Sequence, residues 1–391
     1  MRPVNFSMLC KKLKIPTERS QKSSSKLHKK VIANKSQTTF SRFIASSTYF
    51  FLMICIFYCC KEVPSSEYLQ LSGKQKITFL DSIRAAAVVT TDRQEDFFEK
   101  VTPLDISLQM QRTYPSETSR EIVLKDYKKF LAEEVLPFEA QEEAILKKVF
   151  TDIHTWCDQL SPTIFPKNIQ LIKTKGSYYG DGAYYTRENV IVIPMNELKT
   201  PNEPSLRAVI AHEIFHIYSR QNPKKRDALY ALIGFQKVNG KLVLPSILQS
   251  RQLLNPDGID VAYAIRLAQP GGDTLQTIPI ITSNAPSYLP ARKSFFEYME
   301  FNLYPIEKQA DGNYNVIVSP EGISPLKLNE QGNFFKQITD NTQYIIHPDE
   351  ILADNFSYLI LSKSGDAAFS LERFSKEGKE LLKKIEKILK E

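Results

Sequence analysis

Residues His212 to His216 read His-Glu-Ile-Phe-His. On a helix, two histidines four positions apart project from one face, about one turn from each other. Two neutral imidazoles at that separation can share one metal ion, and zinc is the ion that this HExxH spacing suits. Glu213, beside the first imidazole, stands where it can take a proton from an attacking water. The chemistry on offer is metal-assisted hydrolysis, most often of peptide bonds.

The run from Ser205 to Tyr218 is apolar on both sides of the motif. Ser205, after Pro204, is the expected N-cap, and Asn222-Pro223 ends the helix. So apolar a helix is buried, yet it carries two histidines and a glutamate. Buried polar groups need partners, and a metal supplies them. The structural alternative is a core helix whose histidines bond to backbone carbonyls.

A catalytic zinc site needs a third protein ligand. The extended pattern HExxHxxGxxH is excluded, because Ser219 stands at its glycine position and Asn222 at its last histidine. The chain has five histidines in all, His28, His154, His212, His216 and His347, so spare imidazoles are scarce. Carboxylates lie downstream, in His347-Pro348-Asp349-Glu350-Ile351-Leu352-Ala353-Asp354. Pro348 suits a first helical turn, and Glu350 and Asp354 then share one face.

An ExxxD helix following an HExxH helix resembles the gluzincins, the thermolysin-like zinc peptidases. The resemblance is limited to the two active-site helices. It implies a single zinc ion held by His212, His216 and Glu350, with Asp354 accepting the other ring N–H of His212. The chain departs from the thermolysin type in its spacing: 134 positions separate His216 from Glu350. An inserted segment must therefore return the chain to the metal. His347 is a candidate oxyanion stabiliser or a plain residue ahead of the helix. Tyr218, Tyr298 and Tyr344 are further candidates for the same role.

Charge is unevenly spread. Residues 1–61 hold 12 Lys/Arg and one acid, so the rest carries 39 basic against 43 acidic residues and offers no argument for nucleic-acid binding. Phe43 to Cys60 is an 18-residue apolar run without charge, just long enough to span a bilayer. It reads as a signal anchor or as a lipoprotein signal ending at Cys59 or Cys60, although neither cysteine follows a small residue. Either way the basic flank stays in the cytoplasm, and the catalytic part is expected to be periplasmic or extracellular. Four of the five cysteines lie in or before this segment; only Cys157 follows it, so no disulfide is expected in the body.

The expected organisation is a basic segment (1–42), a transmembrane or lipoprotein signal segment (43–60) and a helical region (61–165). A zincin-like catalytic core follows (166–236 and 345–365), split by a β-containing insertion (237–344) and closed by an amphipathic C-terminal helix (366–391). Helical spacing marks 81–87, 119–135, 141–160 and 227–235. Residues 168–172 read as a strand. Residues 182–186 and 189–194 read as a hairpin through Arg187-Glu188. The first arm, Ala183–Thr186, is either an edge strand that pairs with an extended substrate or a plain structural hairpin.

The expected fold class is α+β, a zincin-like metalloprotease core with an N-terminal helical region and a β-containing insertion. The expected activity is zinc-dependent hydrolysis of a peptide or protein substrate, with Glu213 as general base, by a chain tethered to a membrane. Two alternatives remain: a non-catalytic envelope or surface interaction protein on the same scaffold, and a zinc hydrolase of non-peptide amides.

Overall fold

The computed structural model describes residues 68–391, apart from Asp181, Val261, Pro270, Gly271 and Lys293. The expected basic and membrane segments, 1–42 and 43–60, lie outside the described residues. Among the described residues, no helix is long and apolar enough to cross a membrane. The described chain is a mixed α+β structure built on two sheets.

The first half contains β1 (Tyr68–Gln70), β2 (Lys76–Phe79), α1 (Ser82–Val89), α2 (Phe97–Lys100), α3 (Pro103–Gln109) and α4 (Arg120–Glu134). It continues through β3 (Val135–Leu136), α5 (Ala140–Asp158), β4 (Asn168–Thr174), β5 (Tyr185–Arg187) and β6 (Val190–Pro194). The first sheet runs in the order β1-β2-β4-β6-β5, with β3 also paired to β4. β2, β4 and β6 are parallel, and β5 turns back antiparallel along the edge. Both faces are covered, so β6 reads Val-Ile-Val-Ile-Pro and is buried throughout. Its Ile191 and Ile193 pack with Leu146, Phe150 and Ile153 of α5; Val190 and Val192 pack on the other side with Val123, Tyr127 and Leu131 of α4.

Two differences from the sequence expectation stand out here. The region from Lys76 was expected to be helical, but it opens with the strand β2, whose Ile77 and Phe79 are buried while Lys76 and Thr78 are not. Four residues are too few for the alternation to show against a helical background. The hairpin also shifts, with β5 and β6 joined by a two-residue turn at Glu188-Asn189.

After α6 (Met195–Lys199) comes the motif helix α7 (Glu203–Gln221), followed by α8 (Pro223–Leu232). The N-cap of α7 is Asn202, whose side chain accepts from the Ser205 N–H, so the helix starts earlier than the expected Ser205 cap. Pro204 falls inside the first turn, where its missing N–H costs nothing. α7 is buried almost all round, from Leu206 to Ser219, as its sequence requires. α8 begins directly at Pro223, not at Asp227, and Gly234 (φ +84°) carries the chain out of it into a strand at Phe235.

The chain then forms β7 (Phe235–Lys237), β8 (Leu242–Val243), α9 (Ser246–Gln249), β9 (Tyr263–Ala268), β10 (Thr274–Ser283), β11 (Met299–Lys308) and β12 (Tyr314–Val316). They form a second sheet, β7-β9-β10-β11-β12-β8, with Ile278, Ile280 and Tyr304 in its own core. α10 (Gly332–Ile338), α11 (Pro348–Ser362) and α12 (Lys376–Lys390) complete the described chain. α11 lies along α7 in the main core through Leu352, Phe356 and Leu359, and α12 seals that core with Leu382, Ile385 and Leu389.

Asp105 of α3 links the N-terminal helices to the loop between α9 and β9. It is wholly buried and accepts from the Leu254 N–H (2.8 Å) and from Gln109 Nε2 (2.7 Å). Burial pushes its pKa from 3.8 up to about 6. Between about pH 4 and pH 6 the folded chain therefore holds a proton that the unfolded chain has lost. Stability contributed by this group is present below the unfolded value and is lost as pH rises through the window, on the order of 3 kcal/mol in full. Urea denaturation of the parent and of Asp105→Asn is expected to give a difference curve that slopes across this window. A flat difference would refute the assignment.

Candidate metal centre

α7 and α11 lie side by side, and their polar residues meet on the facing surfaces. His212, His216 and Glu350 converge with their ligand atoms within 4.8 Å of one another, all three buried. His212 Nε2 is 3.0 Å from Glu350 Oε2, and His216 Nε2 is 3.5 Å from the same oxygen. Two donors on one tetrahedral zinc stand about 3.3 Å apart for bonds of about 2.05 Å, and the two observed edges bracket that figure. The 134 positions between His216 and Glu350 are thus spanned in space by two packed helices.

The outer ring nitrogens are held by carboxylates. His212 Nδ1 bonds to Asp354 Oδ1 at 2.8 Å, and the Thr342 hydroxyl donates to the other Asp354 oxygen. The Tyr344 ring stacks on His212, with centroids 6.1 Å apart. His216 Nδ1 bonds to Asp349 Oδ2 at 2.6 Å, while Asp349 Oδ1 accepts from Ser219 Oγ (2.5 Å) and Tyr230 OH (2.7 Å). With each Nδ1–H donated to a carboxylate, each Nε2 lone pair is left for a metal.

The remaining polar atoms test whether a cation fits. His216 Nε2 and Glu213 Oε2 are buried without a hydrogen-bond partner. Buried unpaired atoms of this kind are costly unless something ligates them. Glu213, Asp349, Glu350 and Asp354 are all buried here, and half-buried Asp257 stands among them against two imidazoles. The electrostatics of the cluster show the same imbalance. Burial alone pushes the His212 imidazole toward neutrality, but its bonds to Asp354 and Glu350 win and hold its pKa up to about 10. Burial and then Asp257 push the Glu213 carboxyl up to about 8. Against burial, the charges of His216 and His212 hold Glu350 well below the usual carboxylate range. Two imidazoles, a carboxylate and an excess of negative charge make a donor set for a divalent cation.

Both ring nitrogens of His347 are engaged with backbone groups. It is the N-cap of α11, where Nδ1 accepts from the Asp349 N–H and Nε2 bonds to the Asp260 carbonyl, both at 3.1 Å. This tautomer has no N–H left for a substrate oxygen. The Tyr298 hydroxyl is engaged with the backbone of Leu289, and burial pushes Tyr218 up to about 12.

Three groups at the site escape a reading of the sequence alone. Asp349 sits next to Glu350, but nothing in the string says that it turns toward His216. Asn255 and Asp257 lie in Asn-Pro-Asp-Gly, a string that reads as a turn. In space Asn255 Nδ2 donates to Glu350 Oε1 at 2.6 Å. Asp257 Oδ1 accepts from the Thr186 N–H (2.5 Å) and hydroxyl (2.7 Å). β5 is indeed the edge of its sheet, but this carboxylate takes the Thr186 N–H on its open side.

Comparison with known proteins returns no matching family model, curated protein or solved structure.

The site's geometry predicts a graded series. Glu350→Ala is expected to abolish tight divalent-cation binding. Asp349→Asn and Asp354→Asn are each expected to weaken it by about 10–100-fold. Competition against a chromogenic chelator, with circular dichroism as a check on folding, measures all three. Unchanged affinity in Glu350→Ala would remove it from the site.

Proposed function

We propose that the chain is a zinc-dependent peptidase of the gluzincin type, with a zincin-like core split by the β-containing insertion. One observation carries this reading: His212, His216 and Glu350 converge beside the unpaired Glu213 Oε2. The donor set of two imidazoles and a carboxylate, with second carboxylates behind both histidines, is the one that catalytic zinc uses. When bound, zinc supplies Lewis acidity, lowering the pKa of a water and polarising the scissile carbonyl.

The residues divide the remaining work. Glu213 takes the proton of the attacking water and later delivers it to the leaving amine. Asp354 and Asp349 keep both imidazoles in the ligating tautomer. Asn255 orients Glu350 by holding the oxygen that does not face the histidines. An extended peptide substrate is matched by the edge of β5, through strand addition. The apolar run 43–60, with the basic residues ahead of it, supports tethering to a membrane with the catalytic part on the far side.

A second reading draws on burial. His216 and Glu350 are each 1% exposed, which also suits a metal-holding interaction protein without turnover. A peptide-library digest separates the two. The metal-loaded parent is expected to cut peptides in a chelator-sensitive way. Glu213→Gln is expected to keep its metal and lose about 10²–10⁴-fold in rate. Full activity in that variant would overturn the general-base assignment, and inactivity of the loaded parent toward every peptide would favour the second reading.

A further inference from the structure

Thr186 of β5 turns toward Asp257, so Arg187, the next residue, projects from the opposite face of the strand. There it is 4% exposed. Phe97, Phe98 and Tyr185 surround its guanidinium, with ring centroids 4.2, 4.9 and 5.7 Å from the central carbon. These rings offset part of the buried charge, but they supply no lone pair.

The donors of Arg187 are only partly used. Nη1 donates to the Val89 carbonyl at 2.8 Å. Nε and Nη2 donate to nothing among the described residues, and no described carboxylate pairs with the group. Two acids of the same region are spent on the backbone. Glu188 accepts from the Arg93 N–H, and Asp92 accepts from the N–H groups of Gln94, Glu95 and Phe97. A buried cation left in this state is costly unless an anion meets it. Nε and Nη2 together form an edge of the guanidinium that matches a carboxylate with two parallel bonds.

Arg187 lines a recess of about 220 Å³ between the end of α1 and the strands β4, β6 and β5. Val88, Val89, Ile172, Val190 and Val192 give it apolar walls, and Thr91 and Arg93 line it from exposed positions. Glu188 is the one acid among the described residues that line it, and its carboxylate is already engaged. A cavity of about 150 Å³ holds a molecule the size of benzene, so the recess has room for a small organic ligand. One free guanidinium edge beside five aliphatic side chains suits a monoanion with a hydrocarbon part. A phosphate would need more donors. We infer that the recess binds a small carboxylate with an apolar body, its two oxygens meeting Nε and Nη2 of Arg187 and its carbon chain lying along the valines and Ile172. This site lies across β5 from the metal centre and does not depend on it.

Calorimetric titration of the full chain tests the inference. The probes are acetate, butyrate, hexanoate and benzoate, with hexanamide and inorganic phosphate as controls. One carboxylate site per chain is expected, with hexanoate ahead of acetate because its chain reaches the apolar walls. Hexanamide keeps the shape without the charge and is expected to bind at least about 10-fold more weakly than hexanoate. Arg187→Lys keeps the charge but loses the paired donors, and is expected to weaken hexanoate binding at least about 10-fold. Thr91→Trp crowds the recess from an exposed position, and is expected to weaken binding with an unchanged circular dichroism spectrum. Each titration is run with and without added zinc, and equal affinity in both supports the recess. Binding seen only with zinc would place the probe at the metal centre and overturn the inference. So would failure of all four carboxylates to bind the folded parent, equal affinity for hexanamide, phosphate binding tighter than every carboxylate, or parent-like affinity in both variants.

Discussion

Five carboxylates, from Glu213, Asp257, Asp349, Glu350 and Asp354, gather around two imidazoles where α7 and α11 pack, and four of the five are buried. Charges removed from water are destabilising unless they are paired and hydrogen-bonded. Two histidines, even protonated, do not neutralise five acids. The start of α11 offsets part of the excess, since Asp349 and Glu350 lie in its first turn, at the positive end of the helix dipole. A cation at the point where His212, His216 and Glu350 meet would neutralise more, and it would take up His216 Nε2, which otherwise has no hydrogen-bond partner.

Holding that arrangement is the task of the surrounding fold. α7 and α11 are buried along nearly their whole lengths, so neither can roll without breaking the main core. The sheet beneath α7 is covered on both faces, and α12 closes the far side with an apolar stripe of Leu382, Ile385 and Leu389. Asp349 and Asp354 act within this rigid frame. Each is fixed by hydroxyl donors, Ser219 and Tyr230 for one and Thr342 for the other, so each imidazole has one orientation available. The Leu253–Asp260 segment brings Asn255 and Asp257 in from the second sheet. It is attached through hydrogen bonds of Asp105, Asn255 and Asp257 and through Leu253, Leu254 and Ile259, which are buried in the second apolar cluster.

Legibility followed the range of the interactions. The five residues of the motif carry their own geometry, because helical spacing alone puts His212 and His216 on one face. The same local logic reads Glu350 and Asp354 correctly as neighbours on a second helix, and it reads the buried run Val190–Pro194 as a strand. It misplaces boundaries where a single hydrogen bond decides, as at Asn202, or where an element is four residues long, as at Lys76–Phe79. His347 precedes a helix by pattern, but only the carbonyl of Asp260, 87 positions away, commits its second nitrogen.

What the chain alone determined is therefore which side chains share a helix face: two imidazoles and a glutamate on one helix, and a carboxylate pair on another, because a 3.6-residue period is a local property. What only the tertiary structure decided is that these atoms meet, and what else meets them. The 134 positions between His216 and Glu350 carry no periodic signal that could fold them in advance. Asp349 on His216, Asn255 on Glu350 and Asp257 across the edge of β5 arise from contacts between elements distant along the chain. Such contacts depend on the direction in which each helix and loop is packed, and no local spacing rule encodes that direction.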